Sequence, residues 1–398
     1  MGLRETIAHA SLSESGTDSR ARVTGENLMS QVRIPLLVPD LPVHAEYESH
    51  LSEIDANRWY TNFGPLLSRF ETGLQALFPE PSPALTTVSN GTLALELALA
   101  SMGLTQGASV LIPAFTFVAT ASAVRRAGFS PVIADIDPAT WLLTPAIARA
   151  AIPGARIDCV LPVAALGCPV DVDGWDDFRE QTGIPVLVDA AGAFGNQRIG
   201  RHTVVAFSLH ATKALGIGEG GLVVSRDAAL IGRVKRLSNF GIDVASGLAP
   251  DVGTNAKLSE FHAAVGLAAL RHWPARQHLR RTVHRRYCEQ LASLCPGIGF
   301  QARAVDGIYT ILQVLLPQAT NRSRIEKELA ANGVETRRWY QPMVHESRPY
   351  AANALGDLPV AMAIGPRMLG LPFHLELSDT DINRVCTALA GALQRNAT

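Results

Sequence analysis

The sequence predicts an α/β protein, with a mostly parallel, largely buried sheet covered by helices and a smaller α+β domain after it. Three observations predict this. Short apolar runs of strand length recur between residues 109 and 224, each bounded by turn residues and separated by helical or loop stretches. Hydrophobic residues make up 47% of the chain and charged residues 18%, a balance that fits strands covered on both faces. At 398 residues the chain exceeds the usual single-domain range, so two cores can be buried.

The elements follow in order. Residues 1–30 are polar, with Ser11, Ser13, Ser15, Thr17, Asp18 and Ser19 close together, and lack the apolar run of a secretory signal, so they are expected to form a flexible extension. A large domain is expected over residues 31–275 and a small one over 276–398. Ser89-Asn90-Gly91-Thr92 reads as a loop feeding a buried helix over 94–102, where the residues are apolar nearly all round. Strands are expected at 109–112, 131–134, 158–163, 185–188, 204–208 and 221–224. Apolar residues at helical spacing over 258–270, continued by an Arg-rich amphipathic stretch towards Leu294, predict a long helix that links the two domains. Beyond Gly297 the sequence offers a strand over 308–316, a helix over 323–332, and a last helix over 379–393 opened by Ser378 or Asp379.

With 35 basic and 36 acidic side chains the formal charge is −1, so no global field draws the protein to nucleic acid or an anionic membrane. No window approaches 18 uninterrupted apolar residues, which argues against a membrane span. Cys159, Cys168, Cys288, Cys295 and Cys386 are odd in number, widely spaced and without metal-ligand spacing. They read as reduced thiols in a cytoplasmic protein that has no metal site.

The chemistry is concentrated in three segments. Phe207-Ser208-Leu209-His210-Ala211-Thr212-Lys213 ends an apolar run and is followed by Gly216-Ile217-Gly218-Glu219-Gly220-Gly221. A lysine delivered on a short fixed loop and partly desolvated has a neutral amine available for bonding to an aldehyde, and glycines beside it let a cofactor approach the backbone. Taken alone, Lys213 would be an ordinary surface lysine. Asp189 ends another apolar run, where open α/β sheets bind ligands, and its carboxylate can keep a pyridine nitrogen protonated; the plainer reading is a cap on the following turn. Ser89-Asn90-Gly91-Thr92 offers free N–H groups and a hydroxyl to a phosphate, or else a simple N-cap. Together the three read as aldehyde carbon, ring nitrogen and phosphate of one cofactor. The glycine run 216–221 superficially suggests a dinucleotide fingerprint, but it precedes a strand instead of opening a helix.

From about Ile34 to the C-terminus the chain resembles the DegT/StrS-type nucleotide-sugar aminotransferases of the aspartate aminotransferase (fold type I) superfamily. The resemblance is carried by Thr61-Asn62-Phe63-Gly64-Pro65, Ser89 to Thr92, Pro113-Ala114-Phe115-Thr116-Phe117, Asp189-Ala190-Ala191, Ser208 to Gly221, Asn239-Phe240-Gly241, Gly253-Thr254-Asn255 and Ser259-Glu260. It implies a seven-stranded, mostly parallel sheet, pyridoxal 5′-phosphate (PLP) as cofactor, and a homodimer with its sites at the subunit interface. Lys213 would be the Schiff-base lysine and general acid/base, and Asp189 the partner of the ring nitrogen. Phe117 would stack on the ring, and Gly91, Thr92 and Ser208 would hold the phosphate, with Asn255 reaching in from the second subunit. For Phe117 the alternative is core packing, and for Ser208 a hydroxyl bonded to backbone. Two positions depart from the family pattern: Gly192 stands where a Gln, His or Glu often meets the 3-hydroxyl of the cofactor, and Lys257 stands where Arg is common.

The resemblance further implies ping-pong transfer from an amino acid, glutamate for choice, to a keto sugar carried on a nucleotide. The wording of 208–213, 239–241 and 253–255 looks most like enzymes that aminate C-4 of a dTDP-4-keto-6-deoxy sugar. His210, Glu219, Arg338 and Tyr340, with Trp339 and His345, are candidates to touch the substrate or else to pack at the surface. Rival readings are the same chemistry on a 3-keto sugar or a non-sugar cyclic ketone, and a non-catalytic PLP-fold sensor. The family's dehydratases, which carry histidine in place of the lysine, are opposed by Lys213.

Overall fold

The computed structural model describes residues 33–396, so the expected extension at 1–30 lies outside the described residues. Seven strands build the main sheet: β1 (Ala84–Val88), β2 (Ser109–Pro113), β3 (Ser130–Ala134), β4 (Cys159–Val160), β5 (Leu187–Asp189), β6 (Val204–Ser208) and β7 (Gly221–Ser225). β3-β2-β4 and β5-β6-β7-β1 are hydrogen-bonded ladders, and parallel bridges Val160 to Val186 and Val163 to Asp189 join them. Only β7 runs against its neighbours. β5, β6 and β7 are buried at every position, which is why they read as continuous apolar runs.

The helices are α1 (Glu48–Asn57), α2 (Pro65–Gln75), α3 (Gly91–Ser101), α4 (Val118–Arg126), α5 (Pro145–Ala151), α6 (Val172–Thr182), α7 (Ala228–Ser238), α8 (Glu260–Leu294), α9 (Arg322–Ala331), α10 (Pro359–Ile364) and α11 (Asp379–Arg395). Among the described residues none is long and apolar enough to cross a membrane. α8 is the long helix expected from the sequence, and it continues through Pro274. Its Trp273 belongs to the core around the main sheet, whereas Val283, Tyr287 and Leu291 belong to a second core. That second core lies against a small antiparallel sheet, β8 (Gly299–Phe300), β9 (Leu312–Leu315) and β10 (Met368–Leu371), together with α9 and α11. Residues beyond 276 serve both cores, since Ile308, Met343, Val344 and Tyr350 pack in the first. The strand expected over 308–316 shortens to β9 because both backbone groups of Ile308 are taken by the Asn196 amide, each at 2.8 Å.

Two motifs of the resemblance meet at the start of α2. The Glu260 carboxylate, 1% exposed, accepts the N–H groups of Leu66 and Leu67 at 2.8 and 2.9 Å, satisfying donors that a helix start leaves open. A Cβ on Gly64 would lie 2.6 Å from the Glu260 carboxyl carbon, so the pair requires glycine there. We expect Glu260→Gln, which keeps the shape but turns an N–H donor towards one of those amides, to lower unfolding free energy by about 3 kcal/mol in urea.

Candidate active site

Strand register assembles the site. Asp189 pairs with Ala206, two residues before Ser208; Ser208 pairs with Gly221, and Gly221 with Val88. The ends of β1, β5 and β6 therefore open on one edge of the sheet, where such folds bind ligands. α3 begins there, with Asn90 as its N-cap accepting the Leu93 N–H at 2.9 Å. The N–H groups of Gly91 and Thr92 precede the intrahelical ladder and suit an anion. A Cβ on Gly91 would sit 2.8 Å from that of Ser208, and one on Gly221 would sit 2.2 Å from the Asn90 carbonyl oxygen. Glycine at both positions lets the helix start lie directly on β6 and β7, forming a cradle that a side chain would fill.

Past Ser208 the chain doubles back in a tight loop. Leu209 N–H bonds Gly220 O at 2.8 Å, Ala211 N–H bonds Gly218 O at 2.8 Å, and Lys213 N–H bonds His210 O at 2.9 Å. Lys213 is half-buried on this loop, and Asp189 is buried at the end of β5. Asp189 Oδ2 accepts the Thr120 hydroxyl at 2.7 Å, Oδ1 accepts the Ala191 N–H at 3.1 Å, and Thr120 in turn meets Thr116 at 2.7 Å.

Burial lowers the pKa of the Lys213 amine, against the pull of the Asp189 carboxylate. Burial likewise raises that of Asp189, against Thr120, the Ala191 N–H and Lys213. Each group is thus displaced towards its neutral form, and the pairing of β5 on β6 sets the Asp189 end beside the loop that carries Lys213. A neutral amine is the nucleophilic form of lysine, and a carboxylate so placed regains its charge against a fixed cation such as a protonated ring nitrogen. The phosphate cradle, the buried acid and the desolvated amine fit PLP.

Phe117, at the N-cap of α4, is 53% exposed, so it is not core packing in this chain. Its ring lies 6.1 Å from that of Tyr340, which also contacts Phe115 at 5.3 Å. Tyr340 thereby joins the cleft, and burial followed by the Asp189 charge raises its pKa. Ser208 Oγ accepts the His210 N–H at 3.3 Å. His210 and Glu219 flank the Lys213 loop, their nearest side-chain atoms 3.8 Å apart. Arg338 is engaged by α9, bonding Glu326 Oε1 at 2.7 Å and Ser323 Oγ at 3.2 Å. Asn255 is exposed beside Lys257, whose Nζ donates to its Oδ1 at 2.8 Å and lies 4.6 Å over the Phe240 ring. His345 Nε2 lies 3.2 Å from Met362 Sδ.

Sequence reasoning missed Thr120, whose hydroxyl in the first turn of α4 meets that of Thr116, in the Pro113–Phe117 motif just before the helix. It also missed the backbone of Ala191 and Leu166, for which side-chain patterns carry no signal.

Residues 43–390 match the DegT/DnrJ/EryC1/StrS aminotransferase family. Protein Rv3402c of Mycobacterium tuberculosis (strain H37Rv) is 34% identical over 376 residues, covering 90% of each chain. GDP-perosamine synthase of Caulobacter vibrioides is 34% identical over 312 residues, 76% of this chain and 83% of that enzyme. The crystal structure of DesI in the presence of its TDP-sugar product superposes with a TM-score of 0.82 at 34% identity, covering 92% of this chain and 95% of DesI. Sequence and fold agree over nearly all of the described residues, and the chain belongs to the DegT/DnrJ/EryC1/StrS family as a PLP-dependent aminotransferase of fold type I.

Proposed function

We propose that this enzyme moves an amino group from an amino acid, L-glutamate, to the keto carbon of a nucleotide-linked sugar, a dTDP-4-keto-6-deoxyhexose. The observation that carries the reading is the placement of buried Asp189 at the end of β5, beside the end of β6 from which the loop bearing Lys213 leaves. The nucleotide-sugar class is supported by two relatives, one named for GDP-perosamine and one crystallised with a TDP-sugar. The dTDP-4-keto assignment rests on the wording of 208–213, 239–241 and 253–255.

When bound, PLP supplies an electron sink that acidifies the Cα–H of the amino donor. Lys213 would hold the cofactor at its aldehyde carbon, and its freed amine would move one proton from the donor Cα and return one when the keto sugar is the partner. Asp189 holds the ring N–H, and Thr120 and Ala191 fix the carboxylate in place. Gly91, Thr92 and Ser208 bind the phosphate, and Phe117 covers the ring. His210, Glu219 and Tyr340 face the substrate, with Arg338 turning to it only on release from Glu326. Asn255 serves the site of a second copy in a homodimer. The exposed, stacked pair Tyr60 and Phe261, 6.1 Å apart, supports such a covered face. The reading includes a cytoplasmic location, in keeping with five unpaired cysteines, four of them buried.

Gly91→Ala is expected to weaken PLP binding about tenfold or more, because the added methyl displaces α3 from Ser208. Titration of the apoenzyme with PLP measures this, with circular dichroism as the check on folding. The substrate is tested by incubating the enzyme with glutamate and dTDP-, UDP- and GDP-linked keto sugars, identifying the product by mass and NMR. Amination of the dTDP-4-keto sugar supports the reading; turnover of only a 3-keto sugar or a cyclic ketone replaces it.

A further inference from the structure

Three residues past Asp189 the chain presents Gly192, which offers no side chain to the cleft; a Cβ built there would meet the Gly167 main chain at 3.5 Å. PLP carries a hydroxyl on the ring carbon beside the one that bears the aldehyde. In a site shut off from water, that acidic oxygen needs a hydrogen-bond donor.

Tyr340 borders the 166–167 turn, the same turn that Gly192 touches. Its ring lies 6.1 Å from Phe117 and 5.3 Å from Phe115, and the Leu166 backbone borders its hydroxyl. The loop beneath it is tied down on every side. Ala164 N–H bonds Asp189 O at 2.8 Å, Gln301 Nε2 reaches Ala165 O at 3.3 Å, Arg303 Nη1 reaches Leu166 O at 3.1 Å, and Asn196 Nδ2 reaches Gly167 O at 2.9 Å. Leu166 sits in the left-handed region at φ 58°, a conformation a leucine disfavours, followed by Gly167 at φ 85°, which a glycine adopts freely. The acid at the end of β5, Asp189, faces the phenol; Lys213 faces Asp189 from the loop after β6, and Arg303 lies behind Leu166.

We propose that the Tyr340 hydroxyl donates a hydrogen bond to the 3-oxygen of bound PLP, in the place that Gly192 leaves without a side chain. This rests on the assignment of Lys213 and Asp189 to PLP. Because burial and the Asp189 charge keep the phenol protonated, it remains a donor throughout the neutral range. Such a donor stabilises the anionic form of the 3-oxygen, so its loss must move the protonation midpoint of the bound cofactor upward.

The test is a pH titration of the cofactor's visible absorbance in the wild-type holoenzyme, in Tyr340→Phe, and in Tyr340→Phe combined with Gly192→Gln. Tyr340→Phe is expected to raise the midpoint by about one pH unit and the PLP dissociation constant by about tenfold. The added glutamine is expected to bring the midpoint back towards the wild-type value. A Tyr340→Phe midpoint equal to that of wild type overturns the proposal, even if PLP binds more weakly, because the phenol would then act by packing alone. Failure of the underlying assignment looks different: the wild-type protein itself would give no titrating absorbance and no reducible label at Lys213.

Discussion

Lys213→Ala is expected to retain its fold and to lose amino transfer by at least about 10³-fold in kcat/KM, roughly 4 kcal/mol of transition-state stabilisation. The loss combines two roles. Without the amine nothing anchors PLP covalently or activates its aldehyde for exchange, and no group remains to carry the proton between Cα and the cofactor. The fold should survive the change, since the loop from Leu209 to Gly220 is closed by its own backbone hydrogen bonds and does not need the lysine for its shape. Single-turnover measurements with glutamate check this, with thermal melts establishing that the variant is folded. A loss below about tenfold would remove Lys213 from the chemistry.

The second large effect is expected at Asp189. Asp189→Asn keeps the size of the side chain and can still accept the Thr120 hydroxyl or the Ala191 N–H, but it cannot hold a ring nitrogen in its protonated form. Amino transfer is expected to fall by about 10²- to 10⁴-fold, read in both half-reactions. Stability should move the other way. Burial raises the Asp189 pKa above its unfolded value of 3.8, so the folded apoenzyme holds this proton more tightly than the unfolded chain does, and stability is lost as pH rises through that interval. At neutral pH the buried Asp189 carboxyl is therefore a cost to the apoenzyme. Apo Asp189→Asn should melt at or above the wild-type temperature while being nearly inactive, a combination that a purely structural aspartate would not give.

Much of this was legible in the sequence where one kind of signal dominated. β6 was read at its full length because five consecutive buried residues end in a motif that must stop the strand. The opening of α11 by Ser378 was likewise visible as a capping residue. β1 was not seen. Its Thr86 and Thr87 interrupt the apolar run of Ala84, Leu85 and Val88, yet they are fully buried, and Glu71 of α2 accepts both the hydroxyl and the N–H of Thr87 at 2.9 and 2.8 Å. β4 was read over 158–163 but ladders only at Cys159–Val160; beyond it the chain pairs singly, Val163 with Asp189. The site divides in the same way. Lys213, Asp189 and Gly91 lie beside strand ends that local pattern reveals, whereas the placement of Tyr340 depends on a distant segment folding back over Phe115 and Phe117. Arg338, a candidate to touch the substrate, is bonded to Glu326, a partner on another element that local pattern does not reveal.

In the proposed site Lys213 takes the aldehyde carbon of PLP and Asp189 its ring nitrogen. This assignment is tested most directly by reducing the PLP-loaded protein with borohydride, digesting it, and locating the pyridoxyl group by peptide mass spectrometry. A single modified peptide with the group on Lys213 is expected. A group fixed on any other lysine, or none fixed at all in protein saturated with PLP, would contradict it.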